Sequence, residues 1–344
     1  MAITCSTLLA QAWQTLPPAP NSGRFLLRLG SCKVGVEVYG EGWLEPMTTG
    51  LHGVSPWLED GVEFSIKVVG RPQLEQLPTF PVEIDQDSSR GRIEPLCDEN
   101  CLAVAPPHGM HLADRQEGRA LVYYEQPEAI PTWDRCAPLR TVLGFLGPQR
   151  GLHLLHGAVV TRDGSGLLLI GPGGSGKTSS ALATLREGSR LGFLAEDYTA
   201  VEEASLSALP LYRSFKVGAQ GLQRMPWLSS YESLGEQDGK GCFLLPAERL
   251  FGPVSLIGIV WPDLRGPGGL TTIGRAEALR RLAPSSLMQN PNAGALDFRA
   301  LADLCRRLPS YRMGLSDHPA AGEVEQRLTH AFDLCRPLQE AGPA

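Results

Sequence analysis

The sequence predicts an α/β chain in which a phosphate-binding nucleotide core follows a smaller β-rich N-terminal region. Three observations carry this. The segment Gly171-Pro172-Gly173-Gly174-Ser175-Gly176-Lys177-Thr178 has the spacing G-x-x-x-x-G-K-[ST]. It stands between an apolar strand-like run at residues 167–170 and a helix-forming stretch at 179–187. Short alternating apolar runs cut by Gly and Pro fill residues 24–69 and read as strands.

Taken in order, residues 1–23 read as a helix followed by a Pro-rich linker at 16–21, and 24–69 as the β-rich region. Residues 70–118 are rich in Pro, Asp and Arg and poorly periodic, so irregular structure or short strands are expected there. A strand follows at 120–124, and a helix is expected at 133–146. The chain is accordingly divided into residues 1–130, a β-rich domain for substrate or partner recognition, and residues 131–344, the nucleotide domain. In the second part, 154–160 reads as one strand, Asp163-Gly164 as a hairpin turn, and 166–170 as the strand before the glycine loop. Gly188 suits a helix stop, 193–195 is a buried strand ending in Glu196-Asp197, and 199–201 stays extended. Residues 204–250 read as a loop-rich insert. Then come a strand at 255–261, helices at 276–282 and 296–307, a strand at 311–315 and an amphipathic helix at 323–334.

Bulk properties bound the function. The 344 residues are 42% apolar and 20% charged, ordinary for a soluble globular protein with room for two cores. A net charge of −6 argues against a nucleic-acid-binding surface. No leader-like start and no run of 18 apolar residues is present, so a cytoplasmic protein without membrane partners is expected. The eight cysteines are scattered. Cys97 and Cys101, with His108 and His111 nearby, allow a metal reading, although the spacing is not a clean zinc pattern; reduced structural cysteines are the alternative.

The glycine loop explains itself chemically. Glycines let backbone approach phosphates and adopt positive φ. Loop N–H groups and the start of the helix, with Ser179 in its first turn, point at the anion. Lys177 supplies a point charge between the β- and γ-phosphates, and the Thr178 hydroxyl can join a Mg²⁺ shell. Lys177 is one of only five lysines in the chain. Two further features sit near in sequence. Glu196-Asp197 caps an apolar strand, as expected of carboxylates at a ligand crevice, or of a strand simply ending in solvent. His156 lies in an apolar run upstream of the loop. It reads as a site residue or as a satisfied core histidine, with His153 a competitor.

Together, Leu155-His156-Gly157-Ala158-Val159-Val160, the glycine loop and Gly192-Phe193-Leu194-Ala195-Glu196-Asp197 resemble the HPr kinase/phosphorylase family, most closely its divergent HPr-kinase-like members. The resemblance is strong over residues 150–205 and weak beyond. It implies a P-loop kinase fold, with Gly171 through Ser179 binding ATP and Mg²⁺ held by Thr178 and Glu196. Asp197 becomes the base that takes a proton from the acceptor hydroxyl, His156 its neighbour, and Lys177 the charge on the transferred phosphoryl group. Arg213 and Lys216 stand where relatives carry basic residues and would contact phosphate or substrate. Glu196 replaces the first aspartate of the family pair, and the family's downstream phosphorylase signature is not evident. The implied acceptor is a serine-type hydroxyl of a peptide, protein or small molecule, and self-association is implied as well. The alternative is a nucleotide-binding regulatory or scaffold protein, a degenerate kinase that transfers nothing. No N-K-x-D motif for guanine is present.

Overall fold

The computed structural model describes residues 4–16, 23–57, 61–76, 91–290 and 293–340, the last four without side chains. Most of the Pro-rich linker and residues 77–90 of the poorly periodic stretch lie outside the described residues. The chain divides into two compact units, Met1–Leu152 with Asn290–Gly294, and His153–Gln289 with Ala295–Ala344. Both are mixed α/β.

The first unit contains α1 (Cys5–Thr15), β1 (Arg24–Leu29), β2 (Cys32–Val38), α2 (Leu44–Thr48), β3 (Val54–Pro56), β4 (Phe64–Val69), α3 (Arg71–Leu74), β5 (Cys101–Val104), β6 (Gly109–Asp114), β7 (Arg119–Tyr124), α4 (Thr132–Cys136) and α5 (Arg140–Leu146). Its seven strands form one sheet in the order β3-β1-β2-β4-β7-β6-β5. The Thr4 side chain accepts from Thr7 N and caps α1. Cys5, Leu8, Leu9 and Ala12, at helical spacing, bury one face of α1 in a cluster with Leu112 and Leu121 of the sheet. Each fully buried leucine there contributes roughly 1.5–3 kcal/mol.

The short strands allowed for in residues 70–118 are present, β5 paired with β6 as a hairpin. Two expectations change. The helix expected at 133–146 is two helices, broken at Pro138-Leu139, where Leu139 takes φ 61°. Because α5 packs on β6, these helices belong to the first unit, and the division falls at Leu152/His153 rather than at 130/131.

The second unit contains β8 (Leu152–His156, its first residue counted with the first unit), β9 (Ala158–Arg162), β10 (Ser165–Leu169), α6 (Lys177–Ala183), β11 (Gly192–Ala195), β12 (Tyr198–Glu202), β13 (Ser207–Leu209), β14 (Ser214–Gly218), α7 (Ala219–Arg224), β15 (Glu232–Gln237), β16 (Lys240–Leu244), β17 (Val254–Asp263), β18 (Gly269–Thr272), α8 (Arg275–Gln289), α9 (Ala295–Arg307), β19 (Ser310–Gly314) and α10 (Ala321–Glu340). The main sheet runs β11-β9-β10-β17-β13-β12-β8, with β19 branching from β17 and carrying β18. β10, β17 and β19 are mutually parallel. Val160, Leu167 and Leu169 join α6 and α10 in one cluster, while Val159 and Leu168 join α8 and α9 in another. This alternation is what strands buried on both faces require.

The Asp163-Gly164 turn is as expected: both residues have positive φ (51° and 76°), as a two-residue hairpin turn between β9 and β10 needs. The run 154–160, in contrast, is two strands. It breaks at Gly157, so that β8 lies at one end of the sheet and β9 beside β10. The insert 204–250 is ordered too: β14, β16 and β15 form a separate three-stranded sheet. Among the described residues, no helix is long and apolar enough to cross a membrane.

Candidate functional site

The Gly171–Thr178 loop leaves the C-terminal end of β10 directly after Ile170, whose N–H still bonds Val260 O at 2.9 Å. Gly171 has φ 129°, and a Cβ there would meet the Trp261 ring at 2.8 Å, so only glycine turns the chain out of the sheet at this point. Gly176, at φ 103°, delivers the chain into α6. Between them, Pro172, Gly173 and Gly174 form an exposed rim, and Ser179 is exposed on the first turn of α6. The Ser175 hydroxyl oxygen is buried and has no hydrogen-bond partner. An orphaned buried donor inside a glycine loop is the kind of group that a bound anion satisfies.

Lys177 is buried, and its Nζ arches over the loop to donate to Gly171 O at 2.6 Å and Pro172 O at 3.1 Å. Burial holds its pKa below the ordinary lysine value, against the pull of Glu196 and Asp197. The Thr178 hydroxyl donates to Glu196 Oε1 at 2.5 Å, and Lys216 N donates to Glu196 Oε2 at 3.1 Å. Burial first, then the adjacent Asp197 charge, raises the Glu196 pKa above the ordinary carboxylate range.

Asp197 is set differently. Its φ is 68°, and Tyr198 N bonds back to Glu196 O at 2.8 Å, so it is the central residue of a three-residue turn. A positive φ at the centre of such a turn is strained, at a cost on the order of 1–3 kcal/mol. Two contacts hold the side chain: Lys216 Nζ lies 2.8 Å from Oδ2, and His156 Nε2 lies 3.3 Å from Oδ1. Burial alone would raise the Asp197 pKa. The His156 hydrogen bond and the Lys216 charge outweigh it and hold the carboxyl well below its ordinary range. Lys216 is correspondingly held above the ordinary lysine value, since the Asp197 charge outweighs burial.

The break at Gly157 is what brings His156 here. Gly157 N donates to Asp197 O at 3.2 Å, and Thr199 Oγ1 donates to Gly157 O at 3.0 Å, so the end of β8 is pinned to the turn after β11. His156 N donates to Ser286 Oγ at 3.0 Å, while its Nδ1 is buried without a hydrogen-bond partner.

Of the residues singled out from sequence, Lys177, Thr178, Glu196, Asp197, His156 and Lys216 therefore belong to one hydrogen-bonded neighbourhood. Arg213 stands half-buried three residues before Lys216, its carbonyl accepting from Leu245 N at 2.8 Å. His153 is elsewhere, buried between Glu203 (3.3 Å) and Asp297 (3.8 Å). The residues around 97–111 scatter. Cys97 bonds the Ala103 backbone, Cys101 lies by Ser6, His108 faces Glu125, and His111 is buried against Tyr124. Among the described residues no group of three His, Cys, Asp or Glu side chains is placed to hold a metal ion.

Sequence reasoning missed Lys240 and Trp261. Lys240, at the start of β16, is close enough to lower the Lys177 pKa further. Lysine scarcity was the available signal: three of the chain's five lysines, Lys177, Lys216 and Lys240, act on this neighbourhood. Nothing in the spacing of Trp261 foretells its contact with Gly171.

The donor set suits a hard divalent cation shared with phosphates. Cis ligands of an octahedral Mg²⁺ at 2.0–2.1 Å are about 2.9 Å apart. The Thr178 and Glu196 oxygens stand at 2.5 Å and need only a small separation to reach this. Compared with known protein families, no family model matches this chain, and no functionally characterised protein shows significant sequence similarity to it.

Proposed function

We propose that this chain is an ATP-dependent kinase of the HPr-kinase-like P-loop type, acting in the cytoplasm on a serine-type hydroxyl of a peptide, protein or small molecule. The observation that supports it most is the placement of Asp197. A strained carboxylate fixed by His156 and Lys216 stands next to a carboxylate that receives the Thr178 hydroxyl. In this reading the Gly171–Thr178 backbone and Ser175 hydroxyl bind the β- and γ-phosphates of ATP. Lys177 swings from its two carbonyls to neutralise charge developing on the transferred group. Thr178 and Glu196 are the residues that would hold Mg²⁺, which would offset negative charge on the phosphates. Asp197 accepts the proton of the attacking hydroxyl, and His156 keeps its carboxylate aimed. The β-rich first unit is the recognition module.

The test is transfer of labelled γ-phosphate from ATP to a library of hydroxyl-bearing peptides and metabolites. Loss of transfer in Asp197→Asn with ATP binding intact is the expected result; undiminished transfer in that variant refutes the assignment. A second reading, a nucleotide-binding regulator without phosphotransfer, is favoured by one observation. Lys216 sits 2.8 Å from Asp197 Oδ2, an ion pair that weakens this carboxylate as a base. ATP binding with no turnover on any acceptor decides for it.

A further inference from the structure

Lys240 opens β16 at the tip of the β15–β16 hairpin, outside the hydrogen-bonded neighbourhood of Thr178 and Asp197. The turn before it, Asp238-Gly239, has positive φ at both residues (49° and 71°), a two-residue geometry that fixes the register of the strands it joins. Between β14 and β16 the register pairs Lys216 with Cys242 and Gly218 with Lys240. Lys216 and Lys240 therefore share one face of the three-stranded sheet as diagonal neighbours. Such neighbours stand about 7–8 Å apart, a spacing that long side chains span.

Two contacts orient this face. Lys216 Nζ lies 2.8 Å from Asp197 Oδ2, so the face is turned towards the candidate site. Gly218 has no side chain, and Lys240 leans over it: Lys240 Cγ lies 4.0 Å from where a Cβ on Gly218 would stand. The Lys240 charge also reaches Lys177, whose pKa it helps to lower. The nearby acids do not neutralise it. Asp238 accepts from the Gln237 amide at 3.2 Å, Glu236 falls on the other face of the hairpin, and Asp197 is held by Lys216 and His156. Among the described residues Lys240 forms no ion pair.

The residue type fits this placement. Lys240 is the sole exposed lysine of the chain's five, and the other exposed cationic side chains are arginines. A guanidinium fork matches a carboxylate, whereas a compact ammonium serves phosphate as a point charge. Three lysines gathered beside one glycine loop repel one another and concentrate a positive field there, in a chain of net charge −6. A bound polyanion relieves that repulsion.

We propose that Lys240 binds the γ-phosphoryl group of a nucleotide seated in the Gly171–Thr178 loop, across from Lys177. The inference rests on the nucleotide-binding part of the reading above and does not require phosphotransfer. ADP lacks the group that Lys240 would hold, so this lysine makes the site prefer the triphosphate.

The test is calorimetric titration of the full-length protein with ADP and with a non-hydrolysable ATP analogue, each with Mg²⁺. A hydrogen bond to a charged group supports an expected loss of about tenfold in affinity for the ATP analogue in Lys240→Met, with ADP affinity unchanged. Lys240→Arg, which keeps the charge, should recover most of the preference for the triphosphate, a recovery that a merely structural loss would not show. Because Lys240 is exposed on a hairpin, its circular dichroism spectrum should not change on substitution. Unaltered affinity for the ATP analogue in Lys240→Met, or equal weakening of both nucleotides, overturns the assignment while leaving the nucleotide reading in place. Unaltered protein that binds neither nucleotide refutes that reading, and the role of Lys240 falls with it.

Discussion

Glu196 and Asp197 are neighbours in the chain, yet their environments push their proton affinities apart. Glu196 is buried with one hydroxyl and one amide as donors, whereas Asp197 has a lysine and a histidine. Such divergence commonly separates the roles of paired carboxylates. The Lys216–Asp197 pair also has a consequence for stability that is independent of any activity. Lys216→Met leaves the partly buried Asp197 carboxylate with only His156 as a side-chain partner. Its side chain is 22% exposed, so the cost is discounted from the fully buried case to roughly 1–3 kcal/mol. The double variant Lys216→Met/Asp197→Asn should recover part of that loss, because it removes the uncompensated charge. Urea unfolding of the four proteins in this cycle measures the coupling, and strict additivity would show that the pair contributes nothing. Lys177 gives a second residue-scale expectation. Its Nζ bonds two loop carbonyls from a buried position that a guanidinium fork does not fit. Lys177→Arg should weaken ATP binding at least tenfold while the circular dichroism spectrum is unchanged; equal calorimetric affinities for both proteins would remove Lys177 from the site.

At the scale of elements, the decisive feature is the break between β8 and β9. A Cβ at Gly157 would stand 2.9 Å from Leu169 O and 3.1 Å from Leu168 Cδ1, both on the strand that feeds the loop. Gly157→Ala must therefore displace backbone. Gly164→Ala, in the hairpin turn, meets nothing within 4 Å and pays only for its positive φ, about 1 kcal/mol. Chemical denaturation should rank Gly157→Ala as the more damaging of the two, and the reverse order would contradict the packing around β8. This break was invisible in the sequence, because residues 154–160 form an apolar run with a single glycine and periodicity cannot distinguish one strand from two. The glycine loop and the strand ending in Glu196-Asp197 were legible because their signals are local spacings. The sheet β14-β16-β15 was not, because β15 buries only Leu234 and so shows no alternation of apolar and polar residues. With that sheet unseen, the distance from Lys216 to Asp197 could not be read, since it depends on where β14 packs rather than on any motif.

At the scale of the whole molecule, the two units carry different chemistry, and the first contains a buried polar group that should make its stability depend on pH. His111 on β6 bonds the Tyr124 hydroxyl at 3.1 Å, and Tyr124 donates to Asp134 at 2.6 Å, all three residues being buried. Burial drives the His111 pKa from its ordinary 6.5 down to about 4; the Asp134 charge pulls upward and Arg140 downward. The folded unit therefore keeps His111 neutral while the unfolded chain takes up a proton below pH 6.5. Stability is highest above pH 6.5, falls as the pH drops towards 4 and has no further His111 contribution below that. The full difference is on the order of 3 kcal/mol, since each tenfold change in proton affinity corresponds to about 1.4 kcal/mol. Amide exchange in β6 and β7 is the suitable measurement, because it follows this unit alone where a bulk melting curve would mix two. Opening free energies should decline between pH 6.5 and 4 in the native protein. They should decline less in His111→Gln, which keeps a partner for Tyr124 but carries no titrating group. Equal slopes in the two proteins would mean that His111 is already protonated in the folded unit, contrary to its burial.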